Sequence, residues 1–347
     1  MKLPRFRTGD PQLDAEIAAL VDLVDGTLHE DLIFEIIASA LLMARDQVDR
    51  GDLKIANASL QELRHAFQTF GPYRASRKVG IFGSARTHED DPLYHQTVRF
   101  AAAMAARDWM VITGAGPGIM EAGIEGAGAD NAFGVAIRLP FESPTGQFVA
   151  DDPKLMRFRY FFTRKVTFLK ESHAFALLPG GFGTMDEAFE LLTLIQTGKA
   201  PPAPIVLLDV PDGTYWSTWH DFVQREVLDR GYVSAHDLCF VRVTDDVDEA
   251  VDEIVGFFSN YHSLRYVGGR LVLRMRRAPA GPELDAINRD FADILVRGRI
   301  EPIAPTPAEV ADGDALELER LLVPFDRRSY ARLRELIDRC NGRPSHR

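Results

Sequence analysis

Short apolar segments alternate with amphipathic segments between residues 78 and 260, and this alternation constrains the fold more than any other feature. The apolar segments predict strands at Val79–Gly83, Met110–Thr113, Gly134–Leu139, Ala174–Leu178, Pro204–Asp209 and Cys239–Val243. The amphipathic segments predict helices near residues 93–107, 117–129, 155–171, 185–197, 217–230 and 247–259. Most of the strands are continuous apolar runs, which is typical of a parallel sheet covered by helices on both faces. The rhythm therefore predicts an α/β protein with a doubly wound parallel sheet.

The regions on either side of this central part differ from it. Residues 1–72 carry apolar residues at helical spacing and end at Gly71-Pro72, which predicts a helical segment. Residues 261–347 predict a hairpin around Gly268-Gly269, a helix at 283–296, a strand at Leu318–Phe325 and a last helix at 327–340. The expected fold is a Rossmann-like doubly wound parallel sheet over residues 73–260, with a helical preface and a small C-terminal α+β appendage.

Composition narrows the classes of partner. The chain of 347 residues has a formal net charge of -11, and an acidic surface disfavours nucleic acid and anionic membranes. Its two cysteines, Cys239 and Cys340, are too few for a disulfide framework or a four-thiolate zinc site. The nine histidines show no metal-binding spacing, and we expect neither a metal nor a cofactor. Because the first ten residues lack a signal-peptide core and no apolar run reaches membrane length, we expect a cytoplasmic protein.

Ligands of doubly wound sheets bind beyond the carboxyl ends of the strands, so the loops that follow strands carry the functional signal. The first loop, Gly83–Arg86, brings Ser84 to a strand end, and a tight turn explains it equally well. The second loop, residues 113–121, leads through three glycines into a helix, where an anion is favoured. Its spacing is not G-x-G-x-x-G, and no acidic residue ends the next strand, so the dinucleotide fingerprint is missing.

The third loop, Pro179–Glu187, follows a predicted strand and reads Pro-Gly-Gly-Phe-Gly-Thr-Met-Asp-Glu. Its glycines permit a ligand to approach the backbone closely. Thr184 lies at a predicted helix N-cap and Glu187 three residues later, so a capping box worth about 1 kcal/mol is one explanation. A capping box does not need glycines before it, whereas a phosphate seated on the helix N-terminus accounts for both halves of the motif.

The segment Pro179–Glu187 is similar to the P-G-G-x-G-T-x-x-E signature of the Lonely Guy family. These proteins are cytokinin riboside 5′-monophosphate phosphoribohydrolases and bacterial nucleotide nucleosidases, many of them long labelled lysine decarboxylases. Arg164-Lys165 resembles the Arg-Lys pair that the family carries on the preceding helix. The two earlier loops also look like family loops, in the same order. The resemblance covers residues 78–200 well and extends more loosely to about residue 260.

Two departures distinguish this chain from the short plant-type members of the family. Thr163 stands where those members usually have glutamate, and the second loop reads Gly-Ala-Gly where they have three glycines. Together with the added terminal regions, these departures resemble the longer bacterial branch. They favour AMP-like nucleotides over cytokinin nucleotides as substrates.

The resemblance implies a hydrolase that cleaves the N-glycosidic bond of nucleoside 5′-monophosphates into free base and ribose 5-phosphate. It implies Glu187 as the catalytic carboxylate and Arg164 as a second catalytic residue, which holds the phosphate or the ribose hydroxyls and positions the carboxylate. Lys165 is interpreted as a positive neighbour or structural residue, and Asp186 as a first-turn charge favoured by the helix dipole. For the phosphate we expect contacts from Gly180, Gly181, Gly183 and Thr184. For the base and ribose we expect contacts from Ser84, Gly116, Gly118, Met120 and Glu121, with a core position as the alternative for Met120.

Three other functions compete with this hydrolase. Molybdenum-cofactor carriers look similar in fold and glycine loops, but a carrier has no need of Glu187 together with Arg164. A pyridoxal-phosphate decarboxylase needs a Schiff-base lysine in a pyridoxal fold, for which the sequence offers no setting. The missing fingerprint argues against an NAD-dependent oxidoreductase. The resemblance also implies a homodimer or larger homo-oligomer, and the aromatic stretch Phe158–Phe162 belongs either to its interface or to the core.

Overall fold

The structure is a computed structural model, and it describes residues 4–24, 26, 29–139 and 152–343. The chain divides into two compact units, Met1–Arg64 and His65–Arg347. The division falls within a helix, and the domain boundaries expected after residues 72 and 260 remain predictions.

The first unit is helical, as the sequence predicts. Its helices are α1 (Pro11–Asp22), α2 (Glu30–Arg45) and the greater part of α3 (Arg50–Phe70). Asp10 caps α1, because its carboxylate accepts hydrogen bonds from the first free N–H groups of the helix. Ile17 and Val21 of α1 pack on Phe34 and Ala38 of α2, and these four side chains form a small separate core.

The second unit contains a seven-stranded sheet in which every neighbouring pair is parallel. Its strands are β1 (Lys78–Phe82), β2 (Met110–Thr113), β3 (Ala132–Ile137), β4 (Leu155–Phe158), β5 (Ala174–Leu177), β6 (Ile205–Leu208) and β7 (Val241–Thr244). Their order across the sheet is β4-β3-β2-β1-β5-β6-β7. All residues of β1, β2, β5 and β6 are buried, which explains why these strands are continuous apolar runs.

Six helices connect these strands or follow the last of them. They are α4 (Pro92–Ala105), α5 (Ile119–Ala127), α6 (Phe161–Glu171), α7 (Phe182–Gln196), α8 (Tyr215–Phe222) and α9 (Val247–Phe257). The chain runs outward from β1 to β4, then crosses back to β5 and runs outward to β7. Right-handed crossovers place α4 and α5 on one face of the sheet and α6 to α8 on the other. The doubly wound fold is thereby confirmed, with its topological switch point between β1 and β5.

The prediction of one helix over residues 155–171 is wrong. Leu155–Phe158 is the edge strand β4, whose residues pair with Gly134–Ile137 of β3, and the helix begins only at Phe161. The short apolar segment is compatible with either a helix or a strand, and hydrogen bonding to β3 stabilises the strand. Phe158 is therefore buried in β4, whereas Phe162 and Val166 are half exposed on α6. Similarly, Cys239 belongs to a short 3-10 helix, and β7 begins after it.

The described part of the C-terminal appendage, residues 261–343, contains a four-stranded antiparallel sheet in the order β10-β11-β9-β8. Its elements are β8 (Tyr261–Val267), β9 (Arg270–Met275), α10 (Gly281–Asp290), β10 (Glu301–Ile303), α11 (Pro307–Asp312), β11 (Glu319–Val323) and α12 (Tyr330–Cys340). The predicted hairpin is confirmed, because Gly268 and Gly269 turn the chain with φ angles of 54° and 83°. The sequence did not predict β10 or α11.

Buried charges join the appendage to the parallel-sheet region. Arg334 of α12 donates from Nη2 to Glu253 Oε1 of α9 at 2.5 Å and from Nε to Asp338 Oδ2 at 2.8 Å. Arg343 also reaches Glu253, with Nη2 at 2.5 Å from Oε2. All of these side chains except Arg343 are at most 4% exposed. The last helix is therefore anchored by ion pairs from which water is excluded.

Candidate active site

Three loops meet at the switch point, and the backbone of Ser84 joins them. The Ser84 N–H donates to the Pro179 carbonyl at 3.1 Å, and the Ser84 carbonyl accepts from Ile119 N–H at 3.1 Å. The loops after β1, β2 and β5 are thus hydrogen-bonded to one another at the carboxyl edge of the sheet. The hydroxyl of Ser84 accepts from the Arg86 N–H at 3.0 Å, so in this structure it stabilises its own turn.

Contacts within the protein explain why glycine occupies three positions of the loop after β2. Gly118 has φ 68°, and a Cβ there would lie 2.5 Å from the Ser84 carbonyl oxygen, so only glycine fits. The side chain of Met120 folds back over Gly114 and Gly116, where an added Cβ would lie 2.6 Å from its Sδ and Cε atoms respectively. These positions shape the crevice beside β1.

The third loop opens α7 earlier than the sequence predicts. Helix α7 begins at Phe182 with Gly181 as its N-cap, so Thr184 is its third residue rather than its cap. The alternative explanation, a Thr184–Glu187 capping box, is therefore wrong, and Glu187 lies in the second turn. The helix starts early because Gly181 adopts an extended conformation and its carbonyl accepts from the N–H groups of Thr184 and Met185. Glu187 is thereby left free of any capping role.

The glycines of this third loop fall into two kinds. Gly180 is required by packing, because a Cβ there would lie 2.1 Å from Thr184 Oγ1 and 3.0 Å from Ser84 N. At Gly181 and Gly183 an added Cβ would meet nothing within 4 Å, and neither residue has a positive φ. Both residues lie at the accessible start of α7. The protein's own packing therefore gives no reason for glycine at these two positions.

Helix α8 supports the third loop from the side of β6. The Tyr215 hydroxyl donates to the Gly180 carbonyl at 2.6 Å. Asp209, buried at the end of β6, accepts from Tyr215 N–H at 3.0 Å and Trp216 N–H at 3.3 Å, and so caps the helix that carries the tyrosine. No sequence pattern pointed to Tyr215, because its partner is a carbonyl 35 residues away.

A cluster of charged side chains forms where α6 faces α7. Glu187 is 3% exposed. The Lys165 Nζ lies 3.3 Å from Glu187 Oε1, 2.9 Å from Asp186 Oδ2 and 2.6 Å from Glu190 Oε2. Arg164, one residue earlier, packs its guanidinium against the rings of Phe161 and Phe168 at 5.4 and 5.6 Å. The structure therefore brings the Arg-Lys pair of α6 and the glutamate of α7 together.

Burial and neighbouring charges shift the pKa values of this cluster in opposite directions. Burial raises the pKa of Glu187, and the positive charges of Lys165 and Arg164 only partly offset it. Burial lowers the pKa of Arg164, against the opposing charge of Glu187. Burial also acts to lower the pKa of Lys165, but the hydrogen bonds to Glu190 and Asp186 outweigh it and the pKa is raised. A carboxylate with a raised pKa is a stronger proton acceptor than an ordinary glutamate.

The residues predicted to contact the base and ribose from the loop after β2 and from α5 lie across β1 from Glu187. Met120 and Glu121 are in the first turn of α5, which follows β2, whereas Glu187 is on α7, which follows β5. Sequence reasoning assigned no role to Glu190, although its spacing of three residues from Glu187 on a helix is a usable signal. Among the residues that the structure describes, no group of three or more His, Cys, Asp or Glu side chains is arranged to hold a metal ion. No helix in the described ranges is long and apolar enough to cross a membrane.

The comparisons with known proteins agree with this architecture. Residues 115–254 match a family model described as "possible lysine decarboxylase". Over 71 residues the chain is 39% identical to the cytokinin riboside 5′-monophosphate phosphoribohydrolase LOG3 of Arabidopsis thaliana, covering 20% of this chain and 31% of that protein. Its relative LOG4 from the same plant is 37% identical over 73 residues, covering 21% and 32%. The match thus spans about a third of the length of these curated relatives.

Similarity to solved structures is weaker. The molybdenum cofactor binding protein of the phototrophic bacterium Rippkaea orientalis is 16% identical, with a TM-score of 0.35, over 51% of this chain and 94% of that one. A TM-score this low carries no functional information. The fold and the crevice at its switch point define an open, doubly wound α/β protein with glycine-rich loops. Within that class, the chain is similar to the Lonely Guy phosphoribohydrolases over about a fifth of its length, and residues 115–254 match the family model.

Proposed function

We propose that this protein binds a nucleoside 5′-monophosphate and hydrolyses its N-glycosidic bond, releasing the free base and ribose 5-phosphate. The observation that carries the proposal is the buried carboxylate of Glu187, held beside Arg164 in the second turn of a helix whose N-terminus is open. The curated relatives are named phosphoribohydrolases, which supports the same reaction class here.

The proposed chemistry follows from the charge that develops on the ribose. As the bond from C1′ to the base nitrogen breaks, its electron pair leaves with the base and C1′ becomes oxocarbenium-like. The Glu187 carboxylate stabilises that positive charge or accepts a proton from the water that attacks C1′. Arg164 cannot act as a base, and it supplies a fixed cation for the phosphate or the ribose hydroxyls.

The phosphate is proposed to lie on the N-terminus of α7. The first N–H groups of a helix have no acceptor within it, and the helix dipole favours an anion there. Gly181 and Gly183 leave these groups uncovered, and no contact within the protein requires glycine at either position. A ligand that must approach the backbone closely accounts for both glycines.

Gly183→Ala separates this role from stability. Because the added methyl meets open space within a helix, the free energy of unfolding is expected to stay level or rise by up to about 1 kcal/mol. Nucleotide affinity is expected to fall, since the methyl occupies the phosphate position. Urea denaturation and calorimetric titration with AMP measure the two quantities.

Gly118→Ala is the matched contrast for that variant. It is expected to lose about 1–3 kcal/mol or more in unfolding free energy, because its φ is positive and its Cβ collides with the Ser84 carbonyl. Undiminished AMP affinity in a stable Gly183→Ala protein contradicts the phosphate position.

The reaction is tested by incubating the purified protein with AMP, GMP, CMP, a cytokinin riboside monophosphate and lysine in separate samples. Free base, detected by chromatography, is expected from at least one nucleotide, with AMP-like nucleotides preferred, and no decarboxylation of lysine is expected. Binding of AMP without release of base from any nucleotide would instead favour a non-catalytic carrier of nucleotide or molybdenum cofactor.

A homodimer or larger homo-oligomer is part of the proposal. Phe158 is buried at 2%, whereas Phe161 and Phe162 on α6 are about half exposed and Phe182 at the start of α7 is 96% exposed. Large apolar side chains exposed together around a site are typical of association surfaces. Sedimentation equilibrium of the intact chain measures this, and a monomer at micromolar concentration contradicts it. Cytoplasmic location stays a prediction.

A further inference from the structure

We propose that Lys165 is a positioning residue that orients the Glu187 carboxylate and keeps it ionised, while its neighbour Arg164 is the cation left to contact substrate. The inference deepens the proposed function and rests on it, because it assigns different roles to two adjacent basic residues of the same site. The sequence does not distinguish these roles.

The ammonium group of Lys165 faces carboxylates of the protein. It has three N–H donors, and three carboxylates surround it, those of Asp186, Glu187 and Glu190, at 2.9, 3.3 and 2.6 Å. The Lys165 side chain is 14% exposed. Lys165 donates a hydrogen bond to Glu190 and forms ion pairs with Asp186 and Glu187, so its contacts are those of a residue that places other groups of the protein.

Arg164 shows the opposite pattern. Its Nε atom is buried and has no hydrogen-bond partner among the residues that the structure describes. No ion pair joins its guanidinium to a carboxylate in that part of the chain, although the charge of Glu187 acts on it. Buried donors in proteins nearly always find an acceptor, so this donor beside Glu187 is available to an acceptor on a ligand.

The charges explain why Lys165 is needed. Asp186, Glu187 and Glu190 bring three carboxylates onto little more than one turn of α7, and Glu187 is the most buried of them. The charged groups that act on Glu187 are Lys165 and Arg164 from α6 and Glu190 from its own helix. Without Lys165, burial and like charge would both favour protonation of Glu187, which removes the form that stabilises a cation or accepts a proton.

The first test is the titration of Glu187 in the ligand-free protein, followed by NMR of carboxyl-labelled glutamate. In Lys165→Met the midpoint is expected to rise by about one pH unit or more, because an opposite charge has been lost within about 4 Å. Lys165→Arg is expected to restore most of the difference. Lys170→Met is the matched control on the same helix, since Lys170 is half exposed and pairs with Glu171 instead.

The second test is the pH profile of nucleotide cleavage. In Lys165→Met the acidic limb of kcat/KM for AMP is expected to move to higher pH by the same amount as the NMR midpoint. At a fixed pH on that limb, the rate falls about tenfold for each pH unit by which the limb moves, because the ionised fraction falls tenfold. KM is expected to change little, since Lys165 does not contact substrate. A large rise in KM with an unmoved limb overturns the assignment.

The two tests separate this inference from the proposed function. If the wild-type protein cleaves no nucleotide, the proposed function fails, and the NMR midpoint still decides whether Lys165 controls Glu187. A midpoint in Lys165→Met equal to that of the wild type overturns the inference. If Lys165→Met does not fold, the titration midpoint of Glu187 is measured in Glu190→Gln instead. Removing the negative charge of Glu190 is expected to lower that midpoint. An unchanged or raised midpoint in Glu190→Gln overturns it as well.

Discussion

Replacing Glu187 by glutamine is expected to lower kcat for nucleotide cleavage by about 10²- to 10⁴-fold, the range that a positioned acid–base group contributes. Glutamine keeps the shape of the side chain and an acceptor for Lys165, but it has no negative charge and cannot take up a proton. The fold is expected to survive, because the substitution removes a buried charge without leaving a cavity. Initial rates with AMP measure the effect.

Two controls accompany this prediction: the affinity of Glu187→Gln for AMP, and the activity of a variant at an exposed glutamate. The dissociation constant for AMP is expected to change little in Glu187→Gln, because the phosphate and base contacts remain. Glu301→Gln, on the exposed strand β10, is expected to keep full activity. A Glu187→Gln protein that retains more than about a tenth of the rate shows that the carboxylate is not catalytic.

The pH dependence of the wild-type protein provides a companion observation. Burial raises the pKa of Glu187, so its ionised form is lost at a higher pH than for an ordinary glutamate. Activity that needs the ionised form is therefore present above that pKa and falls as the pH drops through it. The acidic limb of kcat/KM is expected above the usual range for glutamate and is expected to be absent in Glu187→Gln.

Arg334→Met is expected to lower the free energy of unfolding by about 3–5 kcal/mol, the usual effect of removing one partner from a buried ion pair. The substitution takes from Glu253 and Asp338 the buried cation that they share, and Arg343 compensates only the first of them. It also removes the guanidinium that packs over the Phe257 ring at 4.5 Å. Urea denaturation monitored by circular dichroism measures the loss.

Two comparisons make the stability prediction specific to the buried pair. Arg339→Met, on the same helix but partly exposed, is expected to change stability by less than about 1 kcal/mol. The difference between wild type and Arg334→Met is expected to shrink as the pH falls, because protonation neutralises carboxylates that have lost their cation. A loss below about 1 kcal/mol at neutral pH contradicts the role assigned to the cluster.

Much of the candidate site was predictable because it depends on the local chemistry of strand ends. Continuous apolar runs such as Met110–Thr113 are buried on both faces, and the glycine-rich loops after them lie at the edge where parallel strands end. The separation of Arg164 from Glu187 along the chain corresponds to one helix, one strand and one loop. Right-handed connections place the helix before β5 and the helix after it on the same face of the sheet, where residues of the two helices can meet.

Other features depend on partners that are distant in sequence. Residues 155–158 form a strand because β3 offers them an edge, whereas their own pattern also fits a helix. Helix α7 starts at Phe182 because Ser84 and Tyr215 hold the loop before it, so that Thr184 is not the cap. The sequence alone thus determined the fold class and the glycine-rich crevice, because apolar periodicity and glycine placement are local. The roles expected of Arg164, Lys165 and Glu187 came instead from the resemblance to the Lonely Guy signature. Only the tertiary structure decided that Lys165 faces three carboxylates while Arg164 keeps an unused donor, because both depend on how α6 packs against α7.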